Sequence, residues 1–246
     1  MTINNLQVHT VASKGEAASA LTEKLNVVLS EAQQDKKSVL LLVSGGSAFD
    51  LFPLITASSI DQNVTIGVLD ERYSTDPKEN NFAQFQQTDF YHGAKEKGAK
   101  FIDTTVQDGE VHEQHASRFE QALREWKETN SEGIIVATVG IGPDGHTSGV
   151  LPFPENPSLF SELFENPEKL VAAYDADGKN PYRYRSTTTN TFLKEYLDHA
   201  FVYAVGENKK DALTRVVSDT GSLAETPARV LREMKDVQLF TDVTLE

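Results

Sequence analysis

The chain has 246 residues and no cysteine, and its formal net charge at pH 7 is −14, from 37 acidic and 23 basic residues. This length fits one large domain or two small ones, and the lack of cysteine excludes disulfides and thiolate metal sites. This net negative charge disfavours binding to nucleic acid or to a membrane surface. A site for an anionic substrate would need several of the basic residues close together.

The first residues lack the basic and apolar runs of a secretory signal peptide. No apolar run reaches the roughly 18 residues that a membrane span needs. We therefore expect a cytoplasmic protein. The absence of cysteine agrees with this expectation, because disulfides are rare in the reducing cytosol.

Buried strands and helices alternate along the chain. Apolar, β-branched runs predict strands at residues 7–11, 38–44, 64–70, 133–140, 200–205 and 237–240. Helices are predicted at 15–34, 47–57, near 80–90, 110–130, 207–218 and 223–233. This order predicts an α/β fold with a mostly parallel sheet covered on both faces, in one domain spanning 1–246. Segment 152–182, rich in Pro, Asn, Glu and Asp, is predicted to be a long loop or lid.

The strand at 133–140 ends in a glycine-rich loop, GIGPDGHT, at residues 140–147. In open α/β sheets, ligands bind at the carboxyl ends of the strands, where such loops emerge. A histidine there is a candidate acid–base group because its unperturbed pKa of about 6.5 lies near neutrality. His146, beside Asp144, is therefore the leading catalytic candidate.

Two other interpretations of this loop compete with a catalytic one. Its glycines fit the dinucleotide pattern G-x-G-x-x-G, but that pattern requires a helix directly after it. Here three prolines follow within residues 152–157, which exclude a long helix and make a nicotinamide site unlikely. An ordinary surface turn is the other alternative, and the loop alone leaves it open.

Polar motifs follow three further predicted strands. They are SGGS at 44–47, DER at 70–72 and GENK at 206–209. Each alone is compatible with an ordinary turn, a solvated strand end or a helix start. Because the carboxyl ends of parallel strands meet at one edge of a sheet, the four motifs together predict one site. The other histidines, at 9, 92, 112, 115 and 199, are expected on surfaces or at caps.

The order of these motifs closely resembles that of the 6-phosphogluconolactonase family, which shares its fold with glucosamine-6-phosphate deaminases. The resemblance also includes Asn81-Phe82, TPARV at 226–230 and QLFTD at 238–242, and it runs from about Val39 to the C-terminus. It implies a Rossmann-like fold and hydrolysis of 6-phospho-D-glucono-1,5-lactone to 6-phosphogluconate. It also implies that the partner is a small phosphosugar lactone. The implied reaction requires no cofactor and no metal. Neither the resemblance nor the composition sets the oligomeric state.

The resemblance also implies roles for the residues around the scissile bond. His146 would be the general base that activates water, and Asp144 would fix its tautomer or shape the loop. Arg72 would face the ring oxygens or the lactone carbonyl, and Asp70 would help to orient the site.

The substrate phosphate is assigned in the same way. The implied phosphate loop consists of Ser44, Gly45, Gly46 and Ser47. Lys209 would supply a counter-charge. A basic residue ahead of a threonine-rich strand is also implied, with Arg185 as the first choice and Arg183 as the alternative register.

The sequence departs from the usual family pattern in several places. Ala48-Phe49 stands where Thr-Pro is usual, Gly149 stands in place of a serine, and Ser-Thr-Thr-Thr follows Arg185 in place of Val-Thr-Leu-Thr. These departures bear on the phosphate contacts and the exact lactone more than on the class of reaction.

Two rival functions share this fold. In the deaminase branch a glutamate stands five residues after the histidine, where this chain has Leu151, which cannot exchange a proton. The other rival is a non-catalytic sugar-phosphate sensor of bacterial regulators. Such a sensor carries an N-terminal DNA-binding module, for which there is no room ahead of residue 38. We therefore favour the lactonase.

Overall fold

The computed structural model describes residues 1–245. The strands are β1 (Thr2–Ile3), β2 (Leu6–Thr10), β3 (Val39–Val43), β4 (Val64–Val68), β5 (Asp70–Arg72), β6 (Lys100–Phe101), β7 (Ile134–Gly140), β8 (Val171–Asp175), β9 (Tyr184–Thr188), β10 (His199–Tyr203) and β11 (Val237–Thr241). The α-helices are α1 (Lys14–Gln34), α2 (Asn81–Phe85), α3 (Asp89–Glu96), α4 (His112–Thr129), α5 (Pro157–Phe164), α6 (Asn190–Glu195) and α7 (Lys210–Val217).

The main sheet has eight strands in the order β1-β2-β11-β10-β7-β3-β4-β6. All neighbouring pairs are parallel except β1 with β2. Helices cover both faces, so the predicted mostly parallel α/β/α fold is confirmed. The chain moves outward from β3 through β4 on one side and returns on the other side as β7. The carboxyl ends of β3 and β7 thus flank the point where the strand order reverses, which is where ligands bind in this class of fold.

The alternation of side chains along each strand divides the core into two layers. Leu40 and Leu42 of β3 belong to the layer that contains α4, α6 and α7. Leu41 and Val43 belong to the opposite layer, against α1. Because β3 is buried on both faces, its sequence is continuously apolar.

A second, three-stranded antiparallel sheet has the order β5-β9-β8. The strand predicted at 64–70 is in fact two strands, because the chain leaves the main sheet after Val68 and enters the small sheet at Asp70. Two hydrogen bonds from Thr188 to the carbonyl of Leu69 hold this crossing point.

Two predicted helices have the wrong type. The helix predicted at 47–57 is a 3-10 helix, Gly46–Leu54, with Pro53 inside it. Proline lacks the N–H that an α-helical hydrogen bond needs and clashes with the preceding turn, which disfavours a regular α-helix here. The helix predicted at 223–233 is a shorter 3-10 helix, Pro227–Arg232, with its proline in the first turn.

The prediction of a continuous loop over 152–182 is wrong, because this segment contains α5 and β8. Their side chains form a separate apolar cluster in which Phe153, Phe160, Phe164 and Tyr174 pack edge to face. Pro and Asn are typical of loops, but here Asn156 caps the N-terminus of α5 and Pro157 lies in its first turn. Movement of the segment as a lid stays a prediction.

A search of residues 1–245 finds no helix with the length and hydropathy of a membrane span.

The cluster around α5 leads to a stability prediction. Replacing the fully buried Phe164 by Ala should lower the free energy of unfolding by about 3–5 kcal/mol, through lost burial and the cavity left behind. The matched control is Glu162→Ala, an exposed site on the same helix, which should stay within about 0.5 kcal/mol of wild type. Urea denaturation measures both. Equal stability of the two variants would mean that this segment is not packed as described.

Candidate active site

A polar cavity of about 240 Å³ lies at the carboxyl ends of β3 and β7. It collects the four motifs that the sequence places after separate strands. Its lining includes nine of the ten predicted site residues: Ser44, Gly45, Gly46, Ser47, Asp70, Arg72, His146, Arg185 and Lys209. The tenth, Asp144, contacts His146. The structure therefore brings the four motifs together around one cavity, and the roles of these residues stay predictions.

The loop after β7 is closed by its own backbone. The Gly142 N–H donates to the His146 carbonyl at 2.8 Å, and the Gly145 N–H donates to the Gly142 carbonyl at 3.0 Å. A Cβ on Gly142 would lie 2.1 Å from the His146 ring, so only glycine leaves room for the imidazole. The loop is therefore shaped to place this ring at the cavity wall.

Asp144 orients the imidazole. The His146 Nδ1 atom lies 2.6 Å from the Asp144 carboxylate, which also accepts the His146 backbone N–H at 3.1 Å. A carboxylate acceptor assigns the proton to Nδ1 and leaves the Nε2 lone pair available as a base. Burial raises the pKa of the Asp144 carboxyl, but the hydrogen bond and charge of His146 lower it by more. The net pKa lies below its ordinary value, so the carboxyl is ionised at neutral pH.

The C-terminal third of the chain supports this loop from behind. Arg215 of α7 donates to the Asp144 carbonyl at 3.0 Å and to the Thr226 hydroxyl at 3.2 Å. The Ala228 N–H donates to the Gly145 carbonyl at 2.9 Å. These contacts give the TPARV motif a structural part in the site, because they fix the loop that carries His146.

Three cations and one carboxylate line the cavity. Arg185 and Asp70 form an ion pair with both side chains more than 90 % buried. Arg72 and Lys209 have no acidic partner within ion-pair distance in residues 1–245. Burial lowers the pKa of Lys209, against the attraction of the Asp144 charge. The cavity of this acidic protein therefore holds two positive charges that have no ion-pair partner in the described chain.

The structure distinguishes the two arginine registers. Arg183 does not line the cavity and pairs with Asp175 at 2.7 Å. Arg185 lines the cavity, and its Nε is buried without a hydrogen-bond acceptor in the described chain. The Nη2 of Arg185 donates a hydrogen bond to Asp70, so this edge of the guanidinium is not available to a ligand.

Several buried polar atoms around the cavity lack partners within residues 1–245. They are Ser44 Oγ, Ser148 Oγ, Asn81 Oδ1 and the Nε atoms of Arg72 and Arg185. A buried polar atom without a hydrogen bond costs about 1–3 kcal/mol, so such a concentration indicates a surface built to meet a polar ligand. Asn81 also fixes the wall, since its Nδ2 donates to the Asp70 carbonyl at 2.9 Å.

Glu71 is a structural centre that the sequence analysis did not single out. Its fully buried carboxylate accepts the N–H groups of Arg72 at 2.7 Å, Asn81 at 2.5 Å and Phe82 at 3.0 Å, and the Thr104 hydroxyl at 2.8 Å. Burial raises its pKa to about 7, and these four hydrogen bonds oppose that rise. The carboxylate ties β5 to α2, and it thereby holds the backbone of two cavity residues.

The expectation that the remaining histidines lie on surfaces or at caps is wrong for His115. Its ring is fully buried and joins the Thr104 carbonyl at 2.8 Å to the Ser186 hydroxyl at 2.9 Å. Burial lowers its pKa, which favours the neutral ring. This histidine connects α4 to the small sheet, well inside the protein, because both ring nitrogens find partners there.

Within residues 1–245, no group of three or more His, Asp or Glu side chains is arranged to hold a metal ion.

Comparison with known proteins decides the family. The model for glucosamine-6-phosphate isomerases/6-phosphogluconolactonase matches residues 12–240. The chain belongs to this family. Among curated members, it is similar to the 6-phosphogluconolactonase of Xylella fastidiosa, with 25 % identity over 228 residues that cover 91 % of this chain and 90 % of that protein. It is also similar to the 6-phosphogluconolactonase of Neisseria meningitidis serogroup A, with 27 % identity over 207 residues, 82 % of this chain and 84 % of that protein.

Solved structures of family members share the fold. A 6-phosphogluconolactonase from Shewanella baltica superposes with a TM-score of 0.78 at 22 % identity, covering 98 % of this chain and 99 % of that one. The 6-phosphogluconolactonase from Trypanosoma brucei gives a TM-score of 0.72 at 18 % identity, covering 98 % and 97 %. The agreement spans almost the whole of each chain, and it confirms the fold class expected from the sequence.

Two departures from the family pattern have a structural reason here. Phe49 packs on Phe52, with ring centroids 4.8 Å apart, and so belongs to the apolar layer that contains α1. Gly149 has a φ of +72°, and a Cβ there would lie 2.8 Å from the Asp70 Cβ. A serine at 149 would therefore press on the carboxylate that pairs with Arg185.

This crowding predicts that restoring the usual family residue is harmful. Gly149→Ser should lower the free energy of unfolding by about 1–3 kcal/mol, because of the left-handed backbone and the contact with Asp70. The control is Gly93→Ala in α3, where nothing lies within 4 Å of the added Cβ; it should be neutral or stabilising by about 0.5–1 kcal/mol. Thermal and urea unfolding measure both variants. A fully stable Gly149→Ser protein would contradict the described contact.

Proposed function

We propose that the protein is a 6-phosphogluconolactonase, which hydrolyses 6-phospho-D-glucono-1,5-lactone to 6-phosphogluconate. The observation that carries the proposal is a histidine–aspartate pair at the wall of a polar cavity that also contains two cations without an ion-pair partner in residues 1–245. That set can supply a base for water and positive charge for both the reacting carbonyl and a phosphate. The small-molecule substrate and the lack of cysteine also favour a cytoplasmic location.

In the proposed mechanism, the free Nε2 of His146 accepts a proton from a water molecule as its oxygen attacks the lactone carbonyl carbon. Asp144 keeps Nδ1 protonated and stabilises the imidazolium that forms. The bond between the carbonyl carbon and the ring oxygen then breaks, and the imidazolium returns its proton to that oxygen. The products are a hydroxyl and a carboxylic acid in one open chain, and the acid then releases its proton to solvent and becomes the carboxylate.

Arg72 is assigned to the negative charge that develops on the carbonyl oxygen. Its guanidinium lines the cavity without a carboxylate partner in the described chain, so its charge is available to an oxyanion. One well-placed donor of this kind is commonly worth about 3 kcal/mol in the transition state. Asp70 acts on Arg185 and thereby on the shape of the wall.

The phosphate is assigned to the loop Ser44, Gly45, Gly46 and Ser47, with Lys209 beside it. The first N–H groups of a helix lack intrahelical acceptors, so they suit an anion. The unpaired hydroxyl of Ser44 can donate as well. Arg185, whose Nε has no acceptor in residues 1–245, is the further cation assigned to the phosphate.

The deaminase alternative receives less support from the structure. Leu151, at the position of the glutamate of that branch, is 1 % exposed and packs in the apolar cluster with α5. A carboxylate there would have to be buried among aromatic rings. A non-catalytic sensor would share the cavity, and catalysis above the spontaneous rate separates the two.

The reaction can be tested with freshly generated lactone, coupled to 6-phosphogluconate dehydrogenase. We expect the wild type to exceed spontaneous hydrolysis, and His146→Ala to lower kcat by about 10²–10⁴-fold, the usual contribution of a general base. Asp144→Asn should also lower kcat, because an amide N–H facing Nδ1 favours the wrong tautomer.

The matched control is His92→Ala, which removes an exposed histidine on α3 and should leave kcat unchanged. A wild type that gives no excess rate would refute the lactonase. Full activity in His146→Ala would preserve the function but remove this residue as the base.

A further inference from the structure

The loop between β8 and β9 contributes an aromatic residue to the cavity. Tyr182 is half-buried and lines the cavity together with Asn180 of the same loop. The guanidinium carbon of Arg72 lies 3.7 Å from the centroid of the Tyr182 ring. A guanidinium within about 6 Å of an aromatic face is attracted by the negative face of the ring. The tyrosine therefore contacts the very cation that the proposed reaction depends on.

The other contacts of the Arg72 side chain are few. Its Nη1 donates a long hydrogen bond of 3.3 Å to the Glu79 carbonyl, and its Nε is buried without an acceptor in residues 1–245. Hydrogen bonds therefore do not fix the plane of the guanidinium. The close contact with the face of the Tyr182 ring can fix this plane.

The loop that carries Tyr182 is itself held in place. The Ala176 N–H donates to the Arg183 carbonyl at 2.6 Å, and the Tyr182 N–H donates to the Asn180 side chain at 3.0 Å. Lys179 adds a hydrogen bond of 3.0 Å to the Pro152 carbonyl. These bonds hold the loop against the ends of β8 and β9 and against the residues that precede α5. The position of the Tyr182 ring is therefore fixed by its backbone.

We propose that Tyr182 is a positioning residue for Arg72: its ring holds the guanidinium flat, with the N–H edge directed at the reacting carbonyl. The kinetic part of this inference rests on the proposed lactone hydrolysis. The spatial part does not, since it concerns only the contact between two side chains. Because Arg72 is assigned to the oxyanion, loss of the ring affects the chemical step more than substrate binding.

The kinetic test compares two substitutions at one position. Tyr182→Leu should lower kcat about fivefold, the factor that roughly 1 kcal/mol of lost attraction gives, with KM changed by less than about twofold. Tyr182→Phe keeps the aromatic face and should retain wild-type kcat. The control is Tyr184→Leu, two residues along, whose ring is 44 % exposed and lies outside the cavity; it should leave both constants unchanged.

A second measurement does not depend on activity. In protein labelled with ¹⁵N-arginine, the Arg72 Nε–H signal is assigned by its loss in Arg72→Lys. Tyr182→Leu should remove the ring-current shift of this signal, whereas Tyr182→Phe should retain it, and Tyr184→Leu should leave it unmoved.

The outcomes distinguish failure of the positioning role of Tyr182 from failure of the proposed lactone hydrolysis. An Arg72 signal that is unchanged by Tyr182→Leu would overturn the positioning role, whatever the kinetics. A Tyr182→Phe enzyme as impaired as Tyr182→Leu would overturn it too, because the hydroxyl would then be the functional group. A wild type without lactonase activity but with the expected signal changes would refute the proposed function and leave the contact established.

Discussion

The buried ion pair between Asp70 and Arg185 lies where the two sheets meet, and the geometry of the cavity depends on it. Asp70 begins the strand that leaves the main sheet, and Arg185 belongs to the neighbouring strand of the small sheet. Two charges removed from water are costly unless their geometry and further hydrogen bonds compensate. Removing either partner would leave a lone buried charge in the cavity wall, so the pair favours the position of β9 in which Arg185 meets Asp70.

Charge is distributed unevenly in this protein. The chain carries a net charge of −14, yet three of the residues that line one small cavity are basic. One of these cations is neutralised by the ion pair and shapes the wall. The other two have no acidic partner in the described chain. This division gives a phosphorylated lactone two separate positive groups, which suits a substrate with a phosphate at one end and a developing oxyanion at the other.

The loop that carries His146 is supported by residues that are distant in the sequence. Arg215 and Ala228 hold its backbone, and Gly142 leaves room for its imidazole. Glu71 holds the other side of the cavity through backbone N–H groups. The reacting groups themselves are few. Most of the polar residues nearby position the backbone from which those groups project.

The main sheet and the meeting of the four motifs could be predicted from the sequence, because continuous apolar runs such as 39–43 and 134–139 are typical of strands buried on both faces. The small sheet could not be predicted in the same way. Its strand Asp70–Arg72 is short and charged, and it follows β4 after one residue. Its pairing with residues more than a hundred positions away is a tertiary contact that local patterns do not encode.

The burial of some polar residues could not be predicted from the sequence either. Glu71 and His115 have the composition of surface residues, and they are buried only because backbone N–H groups and hydroxyls of other elements surround them. The 3-10 helix at Gly46–Leu54 differs from the predicted α-helix for a local reason, because its apolar spacing suits an α-helix but Pro53 disfavours one.

The most direct test of the central claim is a crystal structure of the protein with 6-phosphogluconate bound. We expect the phosphate to lie on the loop of residues 44–47 beside Lys209. We also expect the product carboxylate within hydrogen-bond distance of Arg72, close to Nε2 of His146. A product bound in the reverse direction, or outside this cavity, would contradict the assignment of the site.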